Sequence, residues 1–591
     1  MKTGVAFGDH IKTEKVFRRK SYEGRNNNSP RGIFLLLVLF LAIGILSFKL
    51  VNLQVVKGAY YRSLSDSNRI RTKVMFAPRG VLFDRNNIPL VLNDPGYRVI
   101  DGEETSIVSR ERALEAIASG KTNIAIDSLR NYTYKEAFSH VLGYVGQITE
   151  DEMKNDAYSD YAITDWVGKT GLELQYESLL RGINGKQLVE VDAAGKETRI
   201  LGQTEPVPGQ DITLTLDAQL QQASYKAMAE IDRGAVVITN TKGEILTLLS
   251  KPSYDPNLFT LDDTYKATTS GYTNVEQIVM DGVKMPLLDR AISGTYPPGS
   301  TFKMITSAAG LESKIIDESY TVEDTGIVRI GEFSFSNWFY TQQGGKDGEV
   351  NVVKGLARSN DIFFYRLAEK IGVDTLSAMA GKMGVGSVLG IDLSGEAKGV
   401  LPTKKWKMQN VGESWYTGDN YHYGIGQGYL LTTPLQVNAW TQGFANNGKI
   451  YRPHLVKEAR PEVVMDAKLS DKTTELIRQG MIDVCRTGGT AWPLFNFAVA
   501  NDELKIDGKN ILEAPLATGS AQTNKKQIAI ACKTGTAEHG RETPPHAWIT
   551  LFAPAYDPEI VVTILVEEKG EGSNEAGPIA KKILEAYFSQ K

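Results

Sequence analysis

The pattern of hydrophobic positions is dominated by one continuous run near the N-terminus. Residues 32–48 read GIFLLLVLFLAIGILSF and carry no charge. Lys49 follows, and its long aliphatic stem lets the apolar segment continue to Val56. A helix needs about 20 apolar residues to cross a bilayer. Residues 32–52 are therefore predicted to form a membrane-spanning helix.

The charges before this run predict its orientation. Residues 1–31 carry eight Lys or Arg against three Asp or Glu, and such a bias keeps a segment in the cytoplasm. We expect a cytoplasmic tail over residues 1–31 and an extracytoplasmic location for everything after about residue 53. A cleaved signal peptide is the alternative. It is less favoured because the basic region is long and no small-residue cleavage site follows Phe48.

Short alternating segments follow over residues 53–220 and predict a mainly β domain. Residues 77–93 read as two short strands joined by turns. Charged residues such as Arg79 and Asp84 lie within these two strands. We therefore interpret the strand pair as a solvated hairpin. Residues 140–148 predict a further strand with bends at its glycines.

The pattern changes in residues 221–591. Two apolar strands are predicted within residues 234–256 and two more within residues 546–568, whereas the segment between them is largely helical in pattern. Strands at both ends of a helical middle predict an α+β domain, with an antiparallel sheet that joins its first and last segments. Residues 577–591 predict a closing helix with one apolar face, formed by Ile579, Ile583, Leu584, Tyr587 and Phe588.

Composition excludes several classes of protein. A net charge of -4 over 591 residues leaves no basic domain for a nucleic-acid partner. The six histidines occur singly, none in a metal-ligand spacing, and no nucleotide-binding motif is present. We therefore expect neither a metal site nor a cofactor. Cys485 and Cys532 lie far apart in the sequence, and we interpret them as small buried apolar residues rather than a disulfide.

The first candidate for chemistry is the segment YPPGSTFKMITSAAGLE at residues 296–312. Ser300 and Lys303 are three positions apart, so on a helix they lie on one face. A serine is a weak nucleophile unless a base lies beside it, and a lysine acts as that base when its pKa is lowered. An N-capping serine with a surface lysine gives the same spacing, so this pattern alone is weak.

A second polar cluster is Ser359-Asn360-Asp361, which lies between a helical stretch and an apolar one. A second hydroxyl followed by a carboxylate suits proton relay and contact with a substrate. A simple helix cap is the competing interpretation, because Ser, Asn and Asp are all good capping residues.

The third cluster is Lys533-Thr534-Gly535-Thr536, at the end of an apolar strand. A cation, two hydroxyls and a glycine that admits close approach suit a substrate carboxylate lying along a strand edge. A strand that ends in a turn is the alternative.

The order of the three clusters is more specific than any one of them. Ser-x-x-Lys, then Ser-x-Asn/Asp, then Lys-Thr-Gly on a late strand is the triple signature of penicillin-binding proteins and serine β-lactamases. The chain resembles the penicillin-binding transpeptidase family over most of residues 230–590. The segments that carry this resemblance are residues 290–312, 359–376, 423–453 and 532–558.

The N-terminal part refines the resemblance. The single anchor and the segment PRGVLFDRN at residues 78–86 are similar to class B members, in which a pedestal domain without a glycosyltransferase precedes the transpeptidase domain. Within class B the chain looks most like the elongation type, the penicillin-binding protein 2 group, and the division type is the alternative. The resemblance implies a pedestal over residues 53–220 and a β-lactamase-like α+β transpeptidase domain over residues 221–591.

The resemblance also implies roles for individual residues. Ser300 is expected to attack a stem peptide that ends in D-Ala-D-Ala and to form an acyl-enzyme. Lys303 is expected to act as its base, and Ser359 to relay the proton with Lys533 tuning it. The expected substrate-binding residues are Asp361, Thr534, Gly535 and Thr536. Asp361 departs from the more frequent Asn of the family, which leaves its contact with substrate open.

The expected partners are peptidoglycan stem peptides, β-lactams, the cytoplasmic membrane and a SEDS-family glycan polymerase. Three other activities use similar motifs or the same scaffold and stay open here. They are β-lactam hydrolysis or sensing, D,D-carboxypeptidase activity, and a purely structural pedestal in which the motif residues are incidental.

Overall fold

The computed structural model describes residues 30–121, 123–192, 196–261, 265–267, 271–500, 506, 508–511, 526–540 and 543–590. The chain divides into two compact units, the first made of Met1–Lys73 with Gln187–Gln203 and the second of Val74–Lys186 with Thr204–Lys591. The expected boundary at residue 220 falls within the second unit and stays a prediction.

The first unit begins with the apolar helix that the sequence predicts. An α-helix over Pro30–Val51 continues as a π-helical segment over Asn52–Val56. The most apolar 18 residues of this stretch have a mean hydropathy of 2.7 and none of them is buried, so the stretch is long and apolar enough to cross a membrane. The helix Gly58–Arg69 follows. A three-stranded sheet has the order Ile70–Met75, Gly185–Val191, Glu197–Thr204.

The second unit starts with the mainly β region that the pattern predicts. Its sheet runs in the order Ile212–Thr213, Leu82–Phe83, Pro89–Asp101, Glu104–Val108, and Ile124–Tyr132 also pairs with Pro89–Asp101. Val145–Gln147 pairs with Trp166–Gly168. The α-helices are Arg110–Ala118, Ser139–Leu142, Gly171–Gln175 and Glu177–Leu180, and the 3₁₀ helices are Lys135–Phe138, Glu152–Lys154 and Asp156–Tyr158.

Two predictions for this region are corrected. Residues 140–148 are not one strand, because Ser139–Leu142 is helical and the chain turns at Gly143, which has a φ of 75°. Nor is the hairpin at residues 77–93 solvated. Asp84 is fully buried and accepts backbone N–H groups from its own turn and from Ala218.

Arg79 is largely shielded from solvent, with its side chain 11% exposed, and its partners are distant in sequence. Its guanidinium forms ion pairs with Glu173 and Glu177, and Arg130 shares Glu173. A charge can be buried when it is paired and hydrogen-bonded. Glu173 lies 94 residues from Arg79, so hydropathy around the hairpin does not reveal the pairing.

The predicted central sheet of the α+β domain is confirmed. Its five strands are antiparallel in the order Ile245–Lys251, Gly234–Thr239, Ile560–Val566, His546–Ala553, Ala531–Ala537. The first and last parts of the domain thus lie side by side. Successive side chains on a strand point to opposite faces. Trp548 accordingly enters one core and Ile549 the other.

Helices cover both faces of this sheet. The helices Ala218–Ala227 and Ala576–Ser589 contribute to one core, and the helices Lys303–Glu312, Asp361–Lys382 and Pro434–Ala445 contribute to the other. The apolar face predicted for the closing helix is confirmed, with its Ile, Leu and Phe residues buried and Tyr587 packed at its edge.

The remaining elements of this domain are short except for Asp471–Val484. The other α-helices are Asn257–Thr260, Val275–Met280, Trp338–Gln343, Val352–Ala357, Lys404–Asn410, Thr417–Gly424 and Asp471–Val484. The 3₁₀ helices are Gly299–Phe302, Trp492–Leu494 and Gly508–Asn510. Four two-stranded sheets are Val322–Glu323 with Glu349–Val350, Ile327–Ile330 with Phe333–Ser336, Lys449–Tyr451 with Val463–Asp466, and Ala498–Val499 with Lys526–Gln527.

The expectation of two unpaired cysteines is wrong. Cys485 and Cys532 form a disulfide, with their Cα atoms 6.1 Å apart. Cys485 ends the helix Asp471–Val484, and Cys532 lies on the outermost strand of the sheet. The fold brings them together across a separation of 47 residues, which sequence spacing alone does not show. Disulfides are typical of oxidising, extracytoplasmic compartments.

The disulfide yields a direct prediction. Because both cysteines of the chain are paired, we expect no thiol to react with an alkylating agent in the unfolded, unreduced protein and two to react after reduction. Mass spectrometry counts the adducts. Cross-links of this loop length stabilise by up to about 4 kcal/mol, so Cys485→Ser should lower the melting temperature and expose one thiol. Two reactive thiols before reduction would contradict the pairing.

Candidate active site

Ser300 lies in the short 3₁₀ turn Gly299–Phe302, directly before the helix Lys303–Glu312. Gly299 has a φ of 54°, and a Cβ atom there would lie 2.7 Å from the carbonyl oxygen of Thr536. Only glycine tolerates both the left-handed conformation and this approach. Gly299 thus lets the turn that carries Ser300 pack against the strand Ala531–Ala537, which we call the motif strand.

Lys303 is completely buried at the start of its helix. Its Nζ donates to Ser359 O at 2.8 Å, to Ser359 Oγ at 3.2 Å and to Asp361 Oδ1 at 2.6 Å. An ammonium has three protons, so these contacts satisfy it fully. Burial lowers the pKa of Lys303, and the charge of Asp361 partly opposes that shift.

Ser359 is the point at which the two lysines of the site meet. Its Oγ accepts hydrogen bonds from Lys303 Nζ at 3.2 Å and from Lys533 Nζ at 3.0 Å. A hydroxyl oxygen accepts two hydrogen bonds and donates one, so the Ser359 proton remains for a further acceptor. Ser359 also has a φ of 53°. A left-handed non-glycine residue costs roughly 1–3 kcal/mol and is held where the surroundings enforce it.

Lys533 is buried as deeply as Lys303 and makes a second bond to the carbonyl of Thr534 at 2.9 Å. Burial first and the charge of Lys303 second hold the pKa of Lys533 well below its usual value, with Asp361 opposing. Two buried amines share one buried carboxylate here. The site therefore has an excess of positive charge whenever both amines are protonated, which favours an anionic ligand.

Asp361 begins the helix Asp361–Lys382 and is 9% exposed. One carboxylate oxygen accepts from Lys303, and the other accepts the backbone N–H of Trp338 at 3.1 Å. Both oxygens therefore have protein partners. Its predicted contact with substrate stays a prediction, and the geometry directs Asp361 towards Lys303.

The motif strand is the last strand of its sheet and pairs on one side with His546–Ala553. Thr536 is exposed, whereas Thr534 is buried and its Oγ1 lies 2.6 Å from Thr490 Oγ1. A Cβ at Gly535 would lie 3.0 Å from the side chains of Thr301 and Trp548. The outer edge of such a strand is suited to an extended peptide.

Several residues that support the site had no role in the sequence interpretation. Asn360 caps the helix that follows it by accepting the N–H of Phe363, and its amide donates to Asp324 and Asp347 at 2.9 and 3.0 Å. This is the helix cap that the sequence offered as the competing interpretation of the Ser359-Asn360-Asp361 cluster. Asp324 and Asp347 lie on a separate segment and give no local signal.

Arg358 and Thr490 are likewise supporting residues without a sequence signal. Arg358 binds Asp347 and the carbonyl of Gly488, at 2.9 and 2.7 Å. Thr490 reaches the motif strand only because the helix before it ends at the disulfide. Within the part of the chain that the structure describes, no cluster of His, Cys, Asp and Glu is arranged to hold a metal ion.

The chain was compared with known protein families. The family described as penicillin binding protein transpeptidase domain matches residues 234–585, and the penicillin-binding protein dimerisation domain matches residues 119–214. The first match covers more than half of the chain and includes all three motifs. The second lies within the region predicted as the pedestal.

Individual proteins are similar over nearly the full length. The peptidoglycan D,D-transpeptidase MrdA of Escherichia coli K12 is 31% identical, over 99% of this chain and 96% of that protein. A Pseudomonas aeruginosa PBP2 structure in complex with WCK 5153 has a TM-score of 0.66 and 32% identity, covering 88% of this chain and 96% of that one.

A second structure is described as "Structural coordination of polymerization and crosslinking by a peptidoglycan synthase complex". Its matched chain has a TM-score of 0.68 and 27% identity, covering 95% of this chain and 99% of that one. Similarity of this extent goes beyond the motifs that β-lactamases share. The chain belongs to the penicillin-binding protein transpeptidases, as a class B peptidoglycan D,D-transpeptidase of the elongation type.

Proposed function

We propose that Ser300 is the residue acylated during cross-linking and that Lys303, Ser359 and Lys533 move its proton. The donor substrate is a peptidoglycan stem peptide that ends in D-Ala-D-Ala. The observation that carries this proposal is the Ser359 hydroxyl, which accepts from both buried lysines and keeps its own proton to donate.

In the acylation step, neutral Lys303 takes the proton of Ser300 while the serine oxygen attacks the penultimate D-Ala carbonyl. Burial supports this role because it lowers the pKa of Lys303 and so favours the neutral amine. As the C–N bond breaks, Ser359 gives its proton to the leaving nitrogen and regains one from a lysine. The terminal D-Ala departs, and Ser300 carries the acyl group.

The second step transfers the acyl group to the amine of a neighbouring stem peptide and restores Ser300. A β-lactam resembles the D-Ala-D-Ala terminus, but its leaving nitrogen is held in a ring. That nitrogen stays attached to the acyl group after Ser300 attacks, so the inhibitor blocks the approach of the acceptor amine and the acyl-enzyme persists.

Backbone N–H groups of Ser300 and Thr536 form the oxyanion hole in this proposal, each donor contributing roughly 3 kcal/mol. The hydroxyls of Thr534 and Thr536 hold the substrate carboxylate beside the positive charge of Lys533. Gly535 lets the substrate backbone approach the strand. Asp361 holds Lys303 in place and limits the lowering of its pKa.

The proposed location follows from the apolar N-terminal helix. We place residues 1–31 in the cytoplasm, the helix in the cytoplasmic membrane as a single anchor, and the pedestal and transpeptidase domains outside. The similar chain in the peptidoglycan synthase complex supports a SEDS-family glycan polymerase as partner. We assign contact with it to the anchor and to residues 53–220.

The nucleophile assignment is tested by labelling the detergent-purified chain with a fluorescent penicillin. Ser300→Ala should abolish labelling, because no other hydroxyl replaces the nucleophile. Lys303→Ala should slow labelling at least about a hundredfold, the usual contribution of a general base. Ser319→Ala is the matched control at an exposed serine and should label normally. Equal labelling of Ser300→Ala and wild type would refute the assignment.

The role of Asp361 predicts a shift in pH dependence. Its charge raises the pKa of Lys303, so Asp361→Asn lowers that pKa further and makes the neutral amine available at lower pH. The acid limb of the acylation rate should therefore move to lower pH in the variant. Asp374→Asn alters an exposed carboxylate beyond the kink at Gly372 and should leave the limb in place. A shift to higher pH, or none, would count against this role.

The anchor is tested by truncation. The side chains of the apolar segment are exposed through Val56, so a protein that starts at Lys57 loses the whole segment. We expect it to be soluble without detergent and still labelled by penicillin, whereas the full chain should sediment with membranes. A protein from residue 57 that still requires detergent would show that other surfaces hold the chain at the membrane.

A further inference from the structure

We propose that Thr490 is a positioning residue for the substrate carboxylate and that the disulfide Cys485–Cys532 holds it in place. Thr490 acts through Thr534, so the inference rests on the carboxylate-binding role proposed for Thr534. It adds a residue outside the three motifs and gives the disulfide a part in substrate selection. Residues 485–491, which follow the helix Asp471–Val484, are called the clamp loop below.

Three contacts tie the clamp loop to the catalytic motifs. Cys485 is bonded to Cys532, and Thr490 Oγ1 lies 2.6 Å from Thr534 Oγ1. Cys532 and Thr534 are the two neighbours of Lys533 in the sequence. The third contact runs from the Arg358 guanidinium to the carbonyl of Gly488, at 2.7 Å. Arg358 directly precedes Ser359. The loop is therefore attached both beside the Ser359 motif and beside the Lys533 motif.

Backbone hydrogen bonds within the clamp loop and to the end of the preceding helix also restrict its movement. Ala491 N donates to Val484 O at 3.0 Å, and Gly489 N donates to Arg486 O at 2.8 Å. A Cβ at Gly489 would lie 2.3 Å from the carbonyl oxygens of Asp483 and Val484. The loop therefore has little freedom, and the position of Thr490 depends on how the loop is fixed at Cys485.

Binding of an anion fixes which of the two threonine hydroxyls donates the hydrogen bond between them. Each threonine hydroxyl has one proton, so one of the two donates and the other accepts. A carboxylate is only an acceptor. When it binds Thr534, that hydroxyl must donate to the carboxylate, and Thr490 must donate to Thr534. A hydroxyl that already accepts a hydrogen bond is polarised and becomes a better donor, so Thr490 strengthens the contact with the carboxylate.

The disulfide matters because hydrogen bonds between hydroxyls tolerate little displacement. Their oxygen–oxygen distance lies between 2.5 and 3.0 Å, and Thr490 stands five positions after Cys485. The disulfide fixes the start of the loop to the residue just before Lys533. Without it, the loop loses its covalent attachment to the motif strand, and a shift of about 1 Å breaks the weaker hydroxyl pair.

The test compares two ligands that differ only in the carboxylate. Acylation rates of the full chain are measured with benzylpenicillin and with its methyl ester. Thr490→Val keeps the shape and removes the hydroxyl. It should slow acylation by the acid about tenfold, near the upper end of what losing one hydrogen bond between uncharged groups costs, and change the rate with the ester less than about twofold.

Two further variants separate positioning from packing. Thr490→Ser restores the hydroxyl and should keep the acid rate within about threefold of wild type, since the hydrogen bond is retained. Thr487→Val makes the same change at an exposed position of the same loop and should leave both rates unchanged. Equal loss with acid and ester in Thr490→Val, or no loss with either, overturns the proposal.

The role of the disulfide is tested in the wild-type chain and in the Thr490→Val variant. If it acts through Thr490, Cys485→Ser should reduce the preference for the acid over the ester in the wild-type chain and have no further effect in Thr490→Val. An equal reduction in both backgrounds overturns this part. Failure of the proposed function is distinguishable, because it would appear as wild-type protein whose Ser300 is not acylated by either ligand.

Discussion

The active site depends on bringing two buried lysines to one serine hydroxyl. Lys303, Lys533 and Ser359 come from a helix start, a sheet edge and a helix-to-helix turn. Each segment is placed by a different part of the core, so the site exists only when the whole transpeptidase domain is assembled. Sheet pairing fixes Lys533, because the motif strand is aligned along its full length with His546–Ala553.

Burying these amines is costly, and the surrounding structure offsets the cost with specific partners. An unpaired buried ammonium is strongly unfavourable, and Asp361 provides one carboxylate for two amines. The left-handed conformation of Ser359 is imposed by its neighbours: Asn360 is hydrogen-bonded to Asp324 and Asp347, and Arg358 also binds Asp347. Burial keeps the pKa values of both lysines low, and the charge of Lys303 lowers that of Lys533 further, which suits the proton transfer proposed for them at neutral pH.

Local patterns were sufficient to predict the sheet strands, the closing helix and the apolar N-terminal helix, because each is determined by periodicity or length. The catalytic clusters were found because their order in the chain is distinctive, although each cluster alone is ambiguous. Contacts between distant segments were not predictable. The disulfide, the buried pairing of Arg79 with Glu173 and the contact of Thr490 with Thr534 each join residues at least 44 positions apart. Such pairs leave no trace in hydropathy or spacing.

The same arrangement explains how one site serves both halves of a transfer reaction. In the proposed mechanism, acylation moves a proton from Ser300 to Lys303 and another from Ser359 to the leaving amine, and a lysine then restores the proton of Ser359. The acceptor amine arrives with a proton of its own and reverses these steps: Ser359 accepts that proton as it gives its own to Lys303, and Lys303 returns one to Ser300. The two steps are symmetrical because, in each of them, Ser359 exchanges a proton with an amine nitrogen.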